Sequence, residues 1–101
     1  PLSVEELAAR LRLGDITVLD VRPDRDRQIA PFPAGRALDA QAVEDIGSLP
    51  KDTPLAFLCH HGNSSRQAAE HFRGLGFTHV YNVDGGIDAW SQRVDAGVPR
   101  Y

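Results

Sequence analysis

The chain has very little cysteine, since Cys59 is the only one among 101 residues. A single cysteine cannot form a disulfide within the chain, so we expect a reducing compartment and predict a cytoplasmic protein. No apolar run approaches the roughly 20 residues of a membrane-spanning helix, and no membrane association is expected. No secretory signal is visible. The chain begins at Pro1 rather than at methionine, which is compatible with processing or with excision from a longer fusion.

An excess of charge of either sign is also lacking. The chain has 11 Lys and Arg against 14 Asp and Glu, which gives a formal net charge of −3. This weakly acidic balance argues against a nucleic acid or an anionic membrane surface as a partner. The hydrophobic share of 42% and the charged share of 25% are those of an ordinary globular protein. The length fits one domain, residues 1–101.

The chemistry that the sequence does contain is concentrated around Cys59. An apolar run at residues 55–58 precedes it and predicts a buried strand, and a helix-like run at residues 66–73 follows. A helix N-terminus presents free backbone N–H groups and the positive end of the helix dipole, and both attract anions. Because a thiolate is an anion, this order predicts a thiol with a pKa below the free value of ~8.5, and hence a nucleophile.

The residues between the strand and the helix favour a binding loop. Gly62 allows a tight turn and the close approach of a ligand, and Asn63 tolerates left-handed backbone angles. Ser64 and Ser65 suit a helix N-cap and can donate hydroxyl hydrogen bonds. A lone cysteine is often only a small buried hydrophobe, which is the alternative interpretation. The polar turn directly after Cys59 favours the interpretation as a reactive thiol.

Three stretches together resemble one protein family. The sequence Cys-His-His-Gly-Asn-Ser-Ser at residues 59–65 is similar to the active-site loop of rhodanese-like sulfurtransferases, especially the small single-domain kind. Leu-Asp-Val-Arg at residues 19–22 and Val-Asp-Gly-Gly-Ile-Asp-Ala-Trp at residues 83–90 agree with that family in order and spacing. The resemblance therefore covers nearly the whole chain.

The resemblance implies a sulfurtransferase with Cys59 as its catalytic residue. Such an enzyme moves sulfane sulfur from thiosulfate, or a similar small anionic donor, to a thiol or to cyanide through a persulfide on Cys59. No metal and no organic cofactor is implied. The implied substrate-binding residues are the rest of the loop: His60, His61, Gly62, Asn63, Ser64 and Ser65. The alternative function is a persulfide relay that exchanges sulfur with a protein partner or a fused domain.

Strand-like and helix-like runs alternate along the chain. This alternation predicts an α/β fold, and together with the resemblance it gives an open, mostly parallel five-stranded sheet with helices on both faces. Ser3 and Glu6 form a capping box for a first helix that Gly14 ends, and Leu2 is a candidate for either a short edge strand or a hydrophobic staple. Further strands are expected at residues 16–21, 36–39, 55–58 and 79–83, and further helices at residues 41–47 and 87–94, with a short helical turn within 23–35.

Three polar residues are expected at the carboxyl ends of strands, namely Asp20, Cys59 and Asp84. Ligands of open α/β sheets bind at that edge, so the order predicts one pocket with Cys59 at its floor. The segment after Arg22 departs from the family, because Asp26 stands where a glutamate is usual. That departure leaves open whether Arg22 has its usual buried ion pair.

Two interpretations of the loop histidines stay open. His60 and His61 stand where many relatives carry Arg or Lys, so they form either a weak, pH-dependent cationic rim or simply two exposed loop side chains. A metal site made of Cys59, His60 and His61 is disfavoured, because adjacent ligands splay apart in a tight turn.

A minor alternative is a cysteine phosphatase or an arsenate reductase. Cysteine phosphatases of related architecture place an arginine after Cys and five residues, but here that position is Ser65 and Arg66 comes one residue late. One residue rotates a helical side chain by ~100°, so Arg66 is expected to point away from an anion bound in the loop.

Overall fold

The computed structural model describes residues 2–101, and five helices alternate with four strands in this part of the chain. The helices are α1 (Val4–Leu13), α2 (Asp24–Ile29), α3 (Ala40–Gly47), α4 (Ser65–Gly74) and α5 (Gly86–Arg93). The strands are β1 (Thr17–Asp20), β2 (Gly35–Ala37), β3 (Leu55–Leu58) and β4 (Val80–Asn82). Each helix and each strand begins and ends within about two residues of its predicted range. Within residues 2–101, no helix combines the length and the apolar character needed to cross a bilayer.

The strands form one sheet in the order β2-β1-β3-β4, and all neighbouring pairs are parallel. The predicted parallel α/β sheet is therefore confirmed, but the predicted count of five strands is wrong. Leu2 forms only an isolated parallel bridge with Val83 beside β4. The chain leaves the sheet after Leu2 because Ser3 is already the N-cap of α1, where its hydroxyl accepts the Glu6 N–H. The expected capping box is present, and Gly14 ends α1 with a φ of 71°.

Two apolar layers cover the two faces of the sheet. Strand β3 shows this most clearly, since all four of its residues are buried and alternate residues enter opposite cores. Ala56 and Leu58 pack with residues of α1 and α5, namely Val4, Leu7, Ala8, Ile87 and Trp90. Leu55 and Phe57 pack with residues of α3 and α4, namely Ile46, Ala69 and Phe72. Because β3 is central and buried on both faces, the residue that follows it has a firmly fixed position.

Candidate active site

Cys59 directly follows β3, and the N-terminus of α5 fixes its backbone. The Ile87 N–H donates to the Cys59 carbonyl at 2.8 Å, and the Asp88 N–H donates to the His60 carbonyl at 3.1 Å. This contact is close because Gly86 has no side chain: a Cβ there would lie 2.3 Å from the Cys59 carbonyl oxygen. The Gly-Gly pair at residues 85–86 therefore allows the N-terminus of α5 to pack directly against the loop.

The sulfur of Cys59 is enclosed by hydrogen-bond donors. The side chain is buried, the Gly62 N–H lies 3.0 Å from Sγ, and the Ser65 hydroxyl lies 3.3 Å from it. Burial opposes ionisation and alone would raise the pKa of Cys59. The Ser65 hydroxyl and the N–H groups of Ser65, Gly62 and Ser64 outweigh burial, so the pKa of Cys59 lies below its ordinary value. The geometry supports the thiolate that the sequence predicts.

The turn after Cys59 depends on Gly62. Its φ is +94°, and a Cβ would lie 3.1 Å from both the Gly85 nitrogen and the Val83 carbonyl oxygen. Within residues 2–101 every positive φ belongs to a glycine, so Asn63 does not use its tolerance of left-handed angles. Ser64 occupies the N-cap position of α4, but its side chain makes no capping hydrogen bond. Ser65 is the first helical residue, and its hydroxyl faces the sulfur.

The two loop histidines differ in their surroundings. The His60 ring stacks between His61 and Tyr101, with both centroid distances 4.0 Å, and its Nε2 is buried without a hydrogen-bond partner among the described residues. The His61 side chain is 60% exposed, and its Nδ1 lies 3.9 Å from Asp88 Oδ2. The interpretation as two exposed histidines is therefore wrong for His60, whereas His61 does lie at the surface.

Arg22 has a buried ion pair, which the sequence left open. Its guanidinium donates to Asp20 at 2.8 Å, and both side chains are almost fully buried. Arg22 also donates to the Ala30 carbonyl and to the Tyr101 hydroxyl, at 2.8 Å and 3.1 Å. Asp20 lies on the same strand-to-loop segment as Arg22, so the ion pair needs no glutamate at position 26. Through Tyr101 this buried network reaches the His60 ring.

Asn82 is a site residue that sequence reasoning missed. Its Nδ2 donates to the Gly62 carbonyl at 2.7 Å, and its Oδ1 accepts the Ser65 hydroxyl. Asn82 thus contacts both residues that donate to the sulfur. The available signal was a polar side chain at the last position of β4, on the same edge of the sheet as Cys59.

A cavity of about 270 Å³ lies beside the loop rather than over the sulfur. Side chains of α4 and the end of β4 line it: Arg66, Ala69, Glu70, Arg73, Asn82 and Asp84. Of the three residues expected at the carboxyl ends of strands, Asp84 lines this cavity and Cys59 does not. Asp20 is instead buried in its ion pair with Arg22.

Arg66 lies on the cavity side of α4 and is exposed. Its backbone N–H donates to the Asn63 carbonyl at 3.3 Å. Among residues 2–101 its guanidinium donates no hydrogen bond to the Cys59 loop, which agrees with the rotation expected from its late position. Within residues 2–101, no three His, Cys, Asp or Glu side chains converge as metal ligands. The candidate site is Cys59 with the backbone and hydroxyl donors around its sulfur.

Comparison with known proteins identifies the family. Residues 3–93 match the family model of the rhodanese-like domain. Thiosulfate sulfurtransferase GlpE from a Pseudomonas aeruginosa strain is 37% identical over 86 residues, which cover 84% of this chain and 78% of that protein. GlpE from Pseudomonas savastanoi pv. phaseolicola is 40% identical over 86 residues, covering 84% of this chain and 81% of that protein. The crystal structure of a rhodanese-related protein from Thermoplasma volcanium superposes with a TM-score of 0.71 at 27% identity, covering 97% of this chain and 93% of that one. The chain belongs to the family of rhodanese-like domains.

Proposed function

We propose that this protein is a thiosulfate sulfurtransferase whose sulfur carrier is Cys59. The observation that carries the proposal is the pair of donors on Sγ, the Gly62 N–H at 3.0 Å and the Ser65 hydroxyl at 3.3 Å. Both favour the charged form of the sulfur and lower the pKa of Cys59. The names of the Pseudomonas relatives supply the donor, thiosulfate.

The first half-reaction loads the enzyme. The Cys59 thiolate attacks the outer sulfur of thiosulfate, a new S–S bond forms to Sγ, and the S–S bond of thiosulfate breaks. Sulfite leaves with the electron pair of the broken bond. The negative charge of the thiolate moves to the outer sulfur of the persulfide, so charge balances without a proton or an external oxidant.

The second half-reaction unloads it. An acceptor, either a thiolate or cyanide, attacks the outer sulfur, and Cys59 leaves as the thiolate that began the cycle. The products are a persulfide of the acceptor or thiocyanate. Each half-reaction forms one bond to the outer sulfur and breaks one S–S bond, so the cycle balances without an external electron carrier.

The loop supplies binding groups for the outer sulfur and the donor. Among residues 2–101, the N–H groups of His60, His61 and Asn63 donate to no protein acceptor, so they remain available to an anionic sulfur. The exposed His61 imidazole adds positive charge for an anionic donor when it is protonated. Ser64 and Asn63 are exposed on the same loop and complete its outer surface.

A reducing compartment suits this reaction, because the single thiol must stay free of disulfides between sulfur transfers. We place the protein in the cytoplasm on that ground. Residues 1–101 act as one rhodanese-like domain, whether alone or joined to a partner that receives the sulfur.

The test is the Cys59→Ser variant with two measurements. Thiocyanate formation from thiosulfate and cyanide measures turnover, and mass spectrometry after thiosulfate treatment measures one added sulfur atom on the Cys59 peptide. We expect both signals to disappear in Cys59→Ser with the thermal unfolding curve unchanged, because the hydroxyl fits the site but is a poor nucleophile. Ser48→Ala is the control outside the loop, since Ser48 is exposed at the C-terminal end of α3, and it should retain both signals. Turnover near the parent rate in Cys59→Ser would reject Cys59 as the sulfur carrier.

The same measurements separate the alternatives. A persulfide that forms on Cys59 but transfers only to a protein thiol would assign the relay function instead of the enzyme. Hydrolysis of a phosphate ester would assign the phosphatase alternative, which the exposed position of Arg66 outside the loop disfavours.

A further inference from the structure

One hydroxyl near the sulfur has two acceptors. Ser65 Oγ lies 3.3 Å from Cys59 Sγ and also makes a hydrogen bond with Asn82 Oδ1. A serine hydroxyl carries one hydrogen, so it can donate to only one of them at a time. Ser65 is fully buried, so solvent does not readily take the place of either partner. The direction in which this hydroxyl points is therefore tied to the charge on Sγ.

The orientation of the Asn82 amide is fixed by the loop backbone. Its Nδ2 donates to the Gly62 carbonyl at 2.7 Å. A flipped amide would set Oδ1 against that carbonyl oxygen, so two acceptors would face each other without a hydrogen. Asn82 consequently presents an oxygen to Ser65, and it competes with the sulfur for the hydroxyl hydrogen.

We propose that Asn82 is a positioning residue that acts on Cys59 through Ser65, by holding the Ser65 hydroxyl hydrogen whenever Sγ is uncharged. This inference rests on the proposed sulfur-transfer cycle. In the thiol, S–H donates to Ser65 Oγ and Ser65 donates to Asn82. In the thiolate, the hydroxyl turns to Sγ and its hydrogen bond to Asn82 is lost. In the persulfide the charge lies on the outer sulfur, so the hydroxyl returns to Asn82. Asn82 thus favours the thiol and the loaded persulfide over the free thiolate, and no covalent bond changes in the process.

A double-mutant cycle tests the link between the two residues. Asn82→Ala, Ser65→Ala and the double variant are titrated by the ultraviolet absorbance of the thiolate, which is specific because the chain has one cysteine. With Ser65 present, Asn82→Ala should move the titration midpoint to lower pH, because the thiol form loses its hydrogen bond. The thiolate fraction below the midpoint should rise about threefold to tenfold, the equivalent of one neutral hydrogen bond.

The Ser65→Ala background is the matched control. Asn82→Ala also removes the tether to the Gly62 carbonyl, but that effect is common to both backgrounds and cancels in the cycle. We expect the shift attributed to Asn82 to be absent when Ser65 is alanine. An equal shift in both backgrounds would overturn the proposal, since it would assign Asn82 a purely structural role through Gly62.

Asn82→Leu gives an independent variant of similar size that lacks the accepting oxygen. It should move the midpoint to lower pH when Ser65 is present and leave it unchanged in the Ser65→Ala background; an unchanged midpoint with Ser65 present contradicts the proposal. The titration needs no sulfur donor, so its outcome is separate from the proposed function. If the double-mutant cycle shows no coupling and thiocyanate forms at the normal rate, only the proposed role of Asn82 is refuted. If the coupling is clear but no sulfur is transferred, the proposed function is refuted and the effect of Asn82 on the thiol stands.

Discussion

Replacing Gly86 by alanine should damage the site through the backbone, although Gly86 lies far from Cys59 in the sequence. The residue has a φ of +59°, and an added Cβ would lie 2.3 Å from the Cys59 carbonyl oxygen and 2.6 Å from the His60 carbonyl oxygen. Both neighbours are backbone atoms of the catalytic loop, so no side chain can rotate away. The strain must therefore move α5, the loop or both.

The magnitude follows from two separate costs. A left-handed conformation costs an alanine about 1–2 kcal/mol, and overpacking of a close contact adds about 1–3 kcal/mol. We expect Gly86→Ala to lower the free energy of unfolding by about 2–5 kcal/mol, against a typical total of about 5–15 kcal/mol. The displacement also strains the hydrogen bonds from Ile87 and Asp88 to the loop carbonyls. Because the loop is displaced, the rate of sulfur transfer per folded molecule should also fall.

Gly14→Ala is the matched control. Gly14 has a similar φ of +71°, but no atom lies within 4 Å of an added Cβ, so this variant carries the backbone strain without the contact. Urea unfolding should give a loss of about 1–2 kcal/mol for Gly14→Ala with unchanged sulfur transfer. Equal stability losses in the two variants, with full activity in Gly86→Ala, would refute the close docking of α5 on the loop.

Two further predictions concern the buried ion pair and the thiol. Arg22→Met leaves the buried Asp20 carboxylate without its partner, so urea unfolding should show a loss of about 3–5 kcal/mol that Asp20→Leu partly restores in the double variant; a loss below ~1 kcal/mol would contradict the pairing. The rate of Cys59 alkylation by iodoacetamide should stay high below the ordinary thiol pKa of ~8.5 and fall only as the pH drops through the lowered pKa, because the thiolate is the deprotonated form. Ser65→Ala should move that fall to higher pH, and a midpoint equal to that of a free cysteine peptide would exclude stabilisation by the loop.

The sequence predicts those features that depend on local order. Residues 55–58 are apolar without interruption, and they form the central strand that is buried on both faces. Ser3, Glu6 and Gly14 define α1 through short-range hydrogen bonds and one left-handed glycine. Cys59 before a Gly-Asn-Ser-Ser turn predicts the donors on the sulfur, because a strand followed by a helix determines where the N–H groups point.

The unpredicted features depend on contacts between distant segments. The Tyr101 ring, at the end of the sequence, stacks on His60, and no periodicity links the two. The Asp20–Arg22 pair is local in the sequence, but Arg22 also donates to the Tyr101 hydroxyl, 79 positions away. The prediction of a fifth strand is wrong for a simpler reason. Because Ser3 is already the N-cap of α1, only Leu2 remains to pair with the sheet.

Two helix N-termini meet at Cys59, and they serve different purposes. The first residues of α4 direct Ser65 and nearby N–H groups at the sulfur, so α4 favours the negative charge. The first residues of α5 instead bind the carbonyls of Cys59 and His60, so α5 holds the backbone from which the sulfur projects. Asn82 connects Gly62, in the middle of the loop, with Ser65, at its end, from a strand anchored in the core. Because α5, β4 and β3 carry these restraints, the donors can keep their positions while the charge moves from Sγ to the outer sulfur and back.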